Sequence, residues 1–242
     1  MWAALVMLLL ISVAPCVGAK NRGDGIMREA LRAFNETDWS VPPPGIGVDR
    51  YRAVVASLPA DGRLEPEDGD EDKLGGLRVL TGDGKRAPVE VVVADLPCAC
   101  IYLYARAALI ISGHALKLLS PEELLASVAH ELGHEYYWSE YYAARERNDW
   151  RTLQKLEFLA DGFAVWLLMR TGSDPESLLK GVQKLMRFNL GHGQTAADSR
   201  NYPSFKARTR FSEAVVNLIQ ERRDKCGFGC DEKVIPRIAG GR

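Results

Sequence analysis

The sequence predicts an α+β protein, mainly helical, with a small β-sheet ahead of a helical body. Three observations carry that expectation. Short β-prone runs cluster between residues 77 and 112, broken by glycine and aspartate. From Ser120 onward the chain reads as helices with marked starts and stops. The composition, 47% hydrophobic and 26% charged over 242 residues, supplies apolar mass for one sizeable core.

Taken in order, residues 3–14 form an apolar run ending at Pro15, followed by Val17, Gly18, Ala19 and Lys20. This reads as a cleavable export signal cut after Ala19. The run is short for a membrane span, which needs roughly 20 apolar residues, and no later stretch reaches that length. An uncleaved N-terminal anchor is the alternative. Residues 26–36 and 48–58 read as helices on either side of a Pro-rich break, and the acidic stretch from Glu65 to Asp72 as a solvated loop. Leu77–Leu80 and Val89–Val93 are β-prone runs with Gly82-Asp83-Gly84 between them, a hairpin signal. Tyr102–Ser112 reads as a further apolar segment, a strand at least from Leu109 to Ser112. Ser120-Pro121-Glu122-Glu123 then combines an N-cap serine, a proline in the first turn and a glutamate at the third position, which starts a helix running past His134. Further helices are expected over about residues 152–170, 174–191 and 203–223.

Charge and cysteines narrow the function. Lys and Arg number 31 against 32 Asp and Glu, and this near-neutral balance excludes a dedicated nucleic-acid binder. Export would remove Cys16 and leave Cys98, Cys100, Cys226 and Cys230 in an oxidising compartment. Cysteines as close as 98 and 100 seldom pair with each other. The expectation is therefore that the Cys98/Cys100 pair bonds to the Cys226/Cys230 pair, with a four-thiolate zinc site as the competing reading.

Within the capped helix lies His130-Glu131-Leu132-Gly133-His134. At 3.6 residues per turn the two histidines project from one face and can bind one zinc ion, with Glu131 beside them to take a proton from water. A catalytic zinc needs a third protein ligand. The strongly apolar second helix carries Glu157 and Asp161, again one turn apart. Carboxylates on such a face are costly unless paired or metal-bound. Glu157 is assigned as the third ligand. Asp161 is expected behind the ligands, accepting the free N–H of a ligand histidine.

H-E-L-G-H followed by Glu157-Phe158-Leu159-Ala160-Asp161 resembles the gluzincin metallopeptidases of the CAAX prenyl protease and HtpX type. Residues 112–124, the lead-in to the motif, and Tyr202-Pro203-Ser204 with Arg208 resemble two further stretches of that family. The likeness covers about residues 89–220. It implies a zincin-type core, one Zn²⁺ per chain, and cleavage of peptide bonds in protein or peptide substrates. It also implies a substrate-binding edge strand, here expected within Ala107–Ser112. The family's histidine before the late proline is Tyr202 here; a tyrosine hydroxyl can still donate to an oxyanion. His192 is a candidate substitute from its Gly-flanked loop, and Arg208 a candidate for orienting substrate or the active-site carboxylates. Cys98-Ala99-Cys100 replaces the family's residues near the edge strand, which suggests cysteines close to the cleft.

The expected organisation is a signal at 1–19, a lead-in at 20–86, a metallopeptidase core at 87–225 and a disulfide-tethered tail at 226–242. The protein is expected to be periplasmic or secreted, with peripheral membrane association an open alternative and oligomeric state unspecified. The same H-E-L-G-H also resembles the ImmA/IrrE regulatory metallopeptidases. A zinc-stabilised, non-catalytic binding module is a third reading.

Overall fold

The computed structural model describes residues 22–41, 43, 45–81, 89–194 and 199–226. The expected signal, the Gly82-Asp83-Gly84 turn and Cys230 lie outside the described residues. The described chain is mostly helical with one three-stranded mixed sheet, an α+β arrangement. Its helices are α1 (Arg22–Glu36), α2 (Val48–Ser57), α3 (Asp70–Thr81), α4 (Gly113–Leu118), α5 (Pro121–Gly133), α6 (Trp138–Glu146), α7 (Trp150–Thr171), α8 (Glu176–Gly191) and α9 (Phe205–Cys226). The strands are β1 (Glu90–Ala94), β2 (Ile101–Tyr104) and β3 (Ala108–Ser112).

The sheet is ordered β1-β3-β2, with β3 parallel to β1 and antiparallel to β2. Val92 and Tyr102 both pair with Ile110. Side chains alternate between faces. Val93, Ile101, Leu109 and Ile111 pack with Leu116, Leu124 and Val128 on the helical side. Val92, Ala94, Cys98, Cys100, Tyr102 and Ile110 form a second apolar cluster with Leu58. Both faces are covered, so β3 is buried along its whole length. Residues 62–64 cover one end of the outer edge of β1, where the Leu64 amide donates to the Val93 carbonyl at 2.9 Å and the Asp95 amide to Gly62 at 2.7 Å.

Five expectations are corrected here. The apolar run 102–112 is a hairpin rather than one strand, because residues 105–107 turn between β2 and β3. Ala107–Ser112 is not an edge: β3 is paired on both sides, and the strand lying outermost on that side is β2. Leu77–Leu80 belongs to α3, not to a strand. Asp70, Glu71 and Asp72 occupy the first turn of that helix, where its positive end favours them, so the acidic loop ends earlier than expected. The motif helix closes at Gly133 and tightens into a 3-10 turn over His134–Tyr137. The short helices α4 and α6 were not anticipated.

The middle of the body is α7. Asp149 caps it, accepting from the Thr152 amide at 3.1 Å, and Gly172 ends it with φ 75°. It packs against α1, α5, α6 and α9. Ile26, Ala30 and Phe34 form the buried stripe of α1 and meet Phe158, Phe163 and Phe211 in one core. Among the described residues no helix is long and apolar enough to cross a membrane.

Gly162 marks the tightest seat of α1 on α7: a Cβ there would lie 2.7 Å from Cδ2 of Phe34. Gly162→Ala is expected to lower stability by about 1–3 kcal/mol through overpacking against a rigid ring. Urea unfolding checks this, and an unchanged midpoint would show that the ring yields freely.

Candidate metal centre

Each candidate ligand rests on a strongly determined helix. In α5 the Ser120 Oγ accepts from the Glu123 amide at 3.3 Å, and the Ser120 amide donates to Glu123 Oε2 at 2.8 Å, a reciprocal cap at the expected start. Pro121 follows in the first turn. One turn apart, the rings of His130 and His134 stand 4.9 Å apart and perpendicular.

The glycine inside the motif governs how closely the second helix approaches. A Cβ on Gly133 would lie 2.8 Å from Cα of Ala160 and 3.2 Å from Cβ of Phe163. Ala160 stands between Glu157 and Asp161 in sequence, so this backbone contact sets both carboxylates beside the histidines.

The resulting geometry is convergent. Nε2 of His130 lies 3.5 Å from Oε2 of Glu157, and Nε2 of His134 lies 3.6 Å from Oε1 of the same carboxylate. Among the described residues this trio is the one group of ligating side chains able to hold a metal ion, and all three are buried. Nε2 of His134 is enclosed without a hydrogen-bond partner. A buried polar atom left so is rare, and a cation at the trio would satisfy it.

Behind the trio, Nδ1 of His130 lies 2.9 Å from Oδ1 of Asp161. The approach is close but off line for a hydrogen bond, so the contact is electrostatic in this conformation. Asp161 is fully buried and is gripped by Arg208 of α9, whose Nε donates to Oδ2 at 2.8 Å and whose Nη2 donates to Oδ1. Arg208 is only 1% exposed.

Burial and charge set the proton affinities. Burial opposes a charge on His130, but the carboxylates of Asp161 and Glu157 outweigh it and push its pKa up to about 10. His134 is pushed down to about 4, chiefly by burial, with His130 and Arg208 adding to the effect. Burial also works against ionising Glu157 and Asp161. The histidines and Arg208 prevail and hold both below the usual carboxylate range. Glu131, beside the ligands, is raised to about 7 by burial and by Glu157, against the pull of His130, the Leu103 amide and Arg208.

The structure places Tyr202 near this group. Burial lifts its pKa well above the ordinary value, and it interacts electrostatically with Tyr141, Glu157 and Glu131. His192 is elsewhere: it is exposed, stacked on Phe188 at 4.0 Å, with Nδ1 2.8 Å from the Phe188 carbonyl.

The cysteine pairing is corrected. Cys98 and Cys100 lie within disulfide distance of each other, their Cα atoms 5.6 Å apart, inside the usual range for a bridge. Both face the same apolar cluster of the sheet. Asn189 pins the residue between them, accepting from the Ala99 amide at 2.8 Å and donating to its carbonyl at 3.0 Å. Cys230, one of the two expected partners, lies outside the described residues. Cys100 lines a small cavity together with Ser127, His130 and Glu131.

Three contributors were missed in the sequence. Tyr141 of α6 sets its ring 5.2 Å from that of His134. The i,i+7 spacing was the available signal, lost because residues 135–156 read only as a connection. Asn189 carried no signal beyond being an amide on an amphipathic helix. Arg106, at the β2–β3 turn, forks onto Glu135, the residue after His134.

No family model matches the chain, and no curated protein matches it. The resemblance therefore rests on the motif residues alone.

Asp161→Asn keeps the shape but removes the charge facing His130. Metal affinity is expected to fall about 10–100-fold, as for other carboxylates that back a ligand histidine. Competition against a chromogenic chelator measures it, and an unchanged affinity would remove Asp161 from the site.

Proposed function

We propose that this chain is an exported, zinc-dependent endopeptidase of zincin type, akin to the gluzincins its motifs resemble. The observation that carries this is the convergence of two Nε2 atoms on one carboxylate at 3.5 and 3.6 Å, with Glu131 buried beside them. A tetrahedral zinc with bonds of about 2.0–2.2 Å separates its ligand atoms by about 3.4 Å. The observed spacings match that edge, and the unpartnered Nε2 of His134 suits a ligand lone pair. His130, His134 and Glu157 would hold the ion.

Bound there, zinc supplies Lewis acidity that polarises a scissile carbonyl and lowers the pKa of an attacking water. The chain's own groups do the rest. Glu131 takes the proton as the water oxygen bonds to the carbonyl carbon. It then delivers that proton to the amine nitrogen as the C–N bond breaks. Its pKa near 7 suits a group that must both accept and give a proton at neutral pH. The tetrahedral oxyanion needs donors in place of the family's missing histidine. Tyr202 and Tyr141 both have pKa values raised by burial, so both remain protonated donors. Edge strand β2 is where an extended peptide would add.

A second reading draws on the burial of the trio, at 6, 7 and 2% exposure. So closed a site also suits a metal that stabilises a binding module without turnover. One variant and one treatment separate the readings. Glu131→Gln is expected to bind one zinc per chain and lose cleavage of casein or a peptide library altogether. Full removal of the ion by a chelator should abolish wild-type cleavage and zinc should restore it. Cleavage persisting in Glu131→Gln would sink the peptidase assignment; zinc without cleavage in the wild type would favour the module. Tyr141→Phe is expected to lower kcat by about 10²-fold with zinc content unchanged. Steady-state kinetics on the zinc-loaded protein checks this.

A further inference from the structure

The hairpin joining β2 to β3 carries an unusual turn. Ala105 and Arg106 have φ of 47° and 64°, the left-handed region that favours glycine. The Ala107 amide closes the turn on the Tyr104 carbonyl at 2.9 Å. Such turns normally use Asn-Gly, because side chains there are strained. Strain of this kind persists where the surroundings enforce it, and it clusters at functional sites.

Here the enforcing contact is visible. Nε of Arg106 lies 3.1 Å from both carboxylate oxygens of Glu135, and its Nη2 donates to Oε2 at 2.9 Å. Both side chains are largely buried. Glu135 follows His134 directly, so the fork ties the tip of the hairpin to the end of the metal-binding helix.

The phase of the sheet shows what that tie controls. The Ser112 amide donates to the Cys100 carbonyl at 2.9 Å. Ladder bonds alternate along an antiparallel pair. Tyr102 and Tyr104 therefore bond to β3, while Ile101 and Leu103 turn their amides away from it. The Leu103 amide faces the carboxylate of Glu131. Strand β2 thus runs along the reactive side of α5, its outward backbone groups at the level of the proposed base.

We propose that Arg106 and Glu135 are positioning residues: they fix the gap between β2 and α5, and with it the register in which an extended peptide crosses the ligand trio. This rests on the peptidase reading above. A shift of β2 lengthens or breaks the backbone hydrogen bonds by which an extended peptide would pair with it, so the cost falls on the binding of long substrates. A substrate too short to pair with β2 does not feel the shift.

The test compares zinc-loaded wild type with Arg106→Gln, Arg106→Lys and the exchange Arg106→Glu/Glu135→Arg. Arg106→Gln is expected to keep its zinc and to raise KM for a peptide of about eight residues by at least about tenfold, with kcat within about twofold. Cleavage of a blocked dipeptide should be unchanged. Arg106→Lys should recover part of the loss and the exchange most of it. Amide hydrogen exchange gives a readout independent of turnover: Leu103 loses protection in Arg106→Gln while the ladder amides of Tyr102 and Ile110 keep theirs. Equal losses on long and short substrates, or loss of ladder protection together with Leu103, would reduce the pair to a fold brace and overturn the proposal. Unchanged KM and unchanged exchange would also overturn it. If the zinc-loaded wild type cuts no peptide, the peptidase reading fails, and the exchange pattern alone decides whether Arg106 sets the strand.

Discussion

Two carboxylates stand in the apolar middle of α7, and the arrangement around them answers that charge. Leaving an ionised group unpaired in such a place costs several kcal/mol. Arg208 answers Asp161 with two hydrogen bonds from a neighbouring helix. Glu157 has the imidazoles of His130 and His134 as its nearest partners. One negative charge is left over; His130 draws its high proton affinity from Asp161 first and then from Glu157. A cation held by the trio would neutralise the same charge. The capacity of the trio to hold a metal ion is thus a consequence of how α7 is buried, as much as of the motif in α5.

That burial in turn depends on a backbone contact. Gly133 has no Cβ, and Ala160 opposite it has only one carbon beyond the backbone. Helices with larger residues at the crossing would be held apart by their side chains. The glycine of H-E-L-G-H thus acts as a spacer for the third ligand, a role the motif's chemistry alone does not reveal.

Much of the site was legible in the sequence because local rules agreed. The Ser120–Glu123 cap fixed where α5 starts, the 3.6-residue period put His130 and His134 on one face, and two carboxylates in an apolar helix advertised a partner. Arg208 was legible only as a candidate for orienting substrate or the active-site carboxylates, since its partner is 47 residues away. The sheet was read less well. Its strand order depends on which strand is covered on both faces, and β2 and β3 are both apolar. Leu77–Leu80 looked β-prone in isolation, but the acidic turn before it favours a helix. The pairing of Cys98 with Cys100 depends on a bend stabilised by Asn189 from a distant helix, and no spacing rule contains that.

The N-terminal helix closes the account. Its side chains reach Arg151, Arg210 and Arg222, at separations of 122, 186 and 187 residues. Asp24 meets Arg210 and Asn35 meets Arg222, so α1 and α9 run in the same direction, the first and last described helices side by side. On a chain emerging from its N-terminus, α1 is complete long before either partner exists. Ile26, Ala30 and Phe34 stay uncovered until α7 and then α9 arrive. Contacts between such distant segments form slowly, and apolar surface exposed meanwhile invites aggregation. The segment just after this helix braces the turn after His134: Tyr136 donates to the Trp39 carbonyl at 2.9 Å, and Tyr137 and Thr37 share a hydrogen bond at 2.7 Å. The turn after His134 is thus supported by residues far earlier in the chain, and Asp161 behind His130 gains its partner only when Arg208 of α9 arrives, which makes the completed candidate centre a late event in the life of the chain.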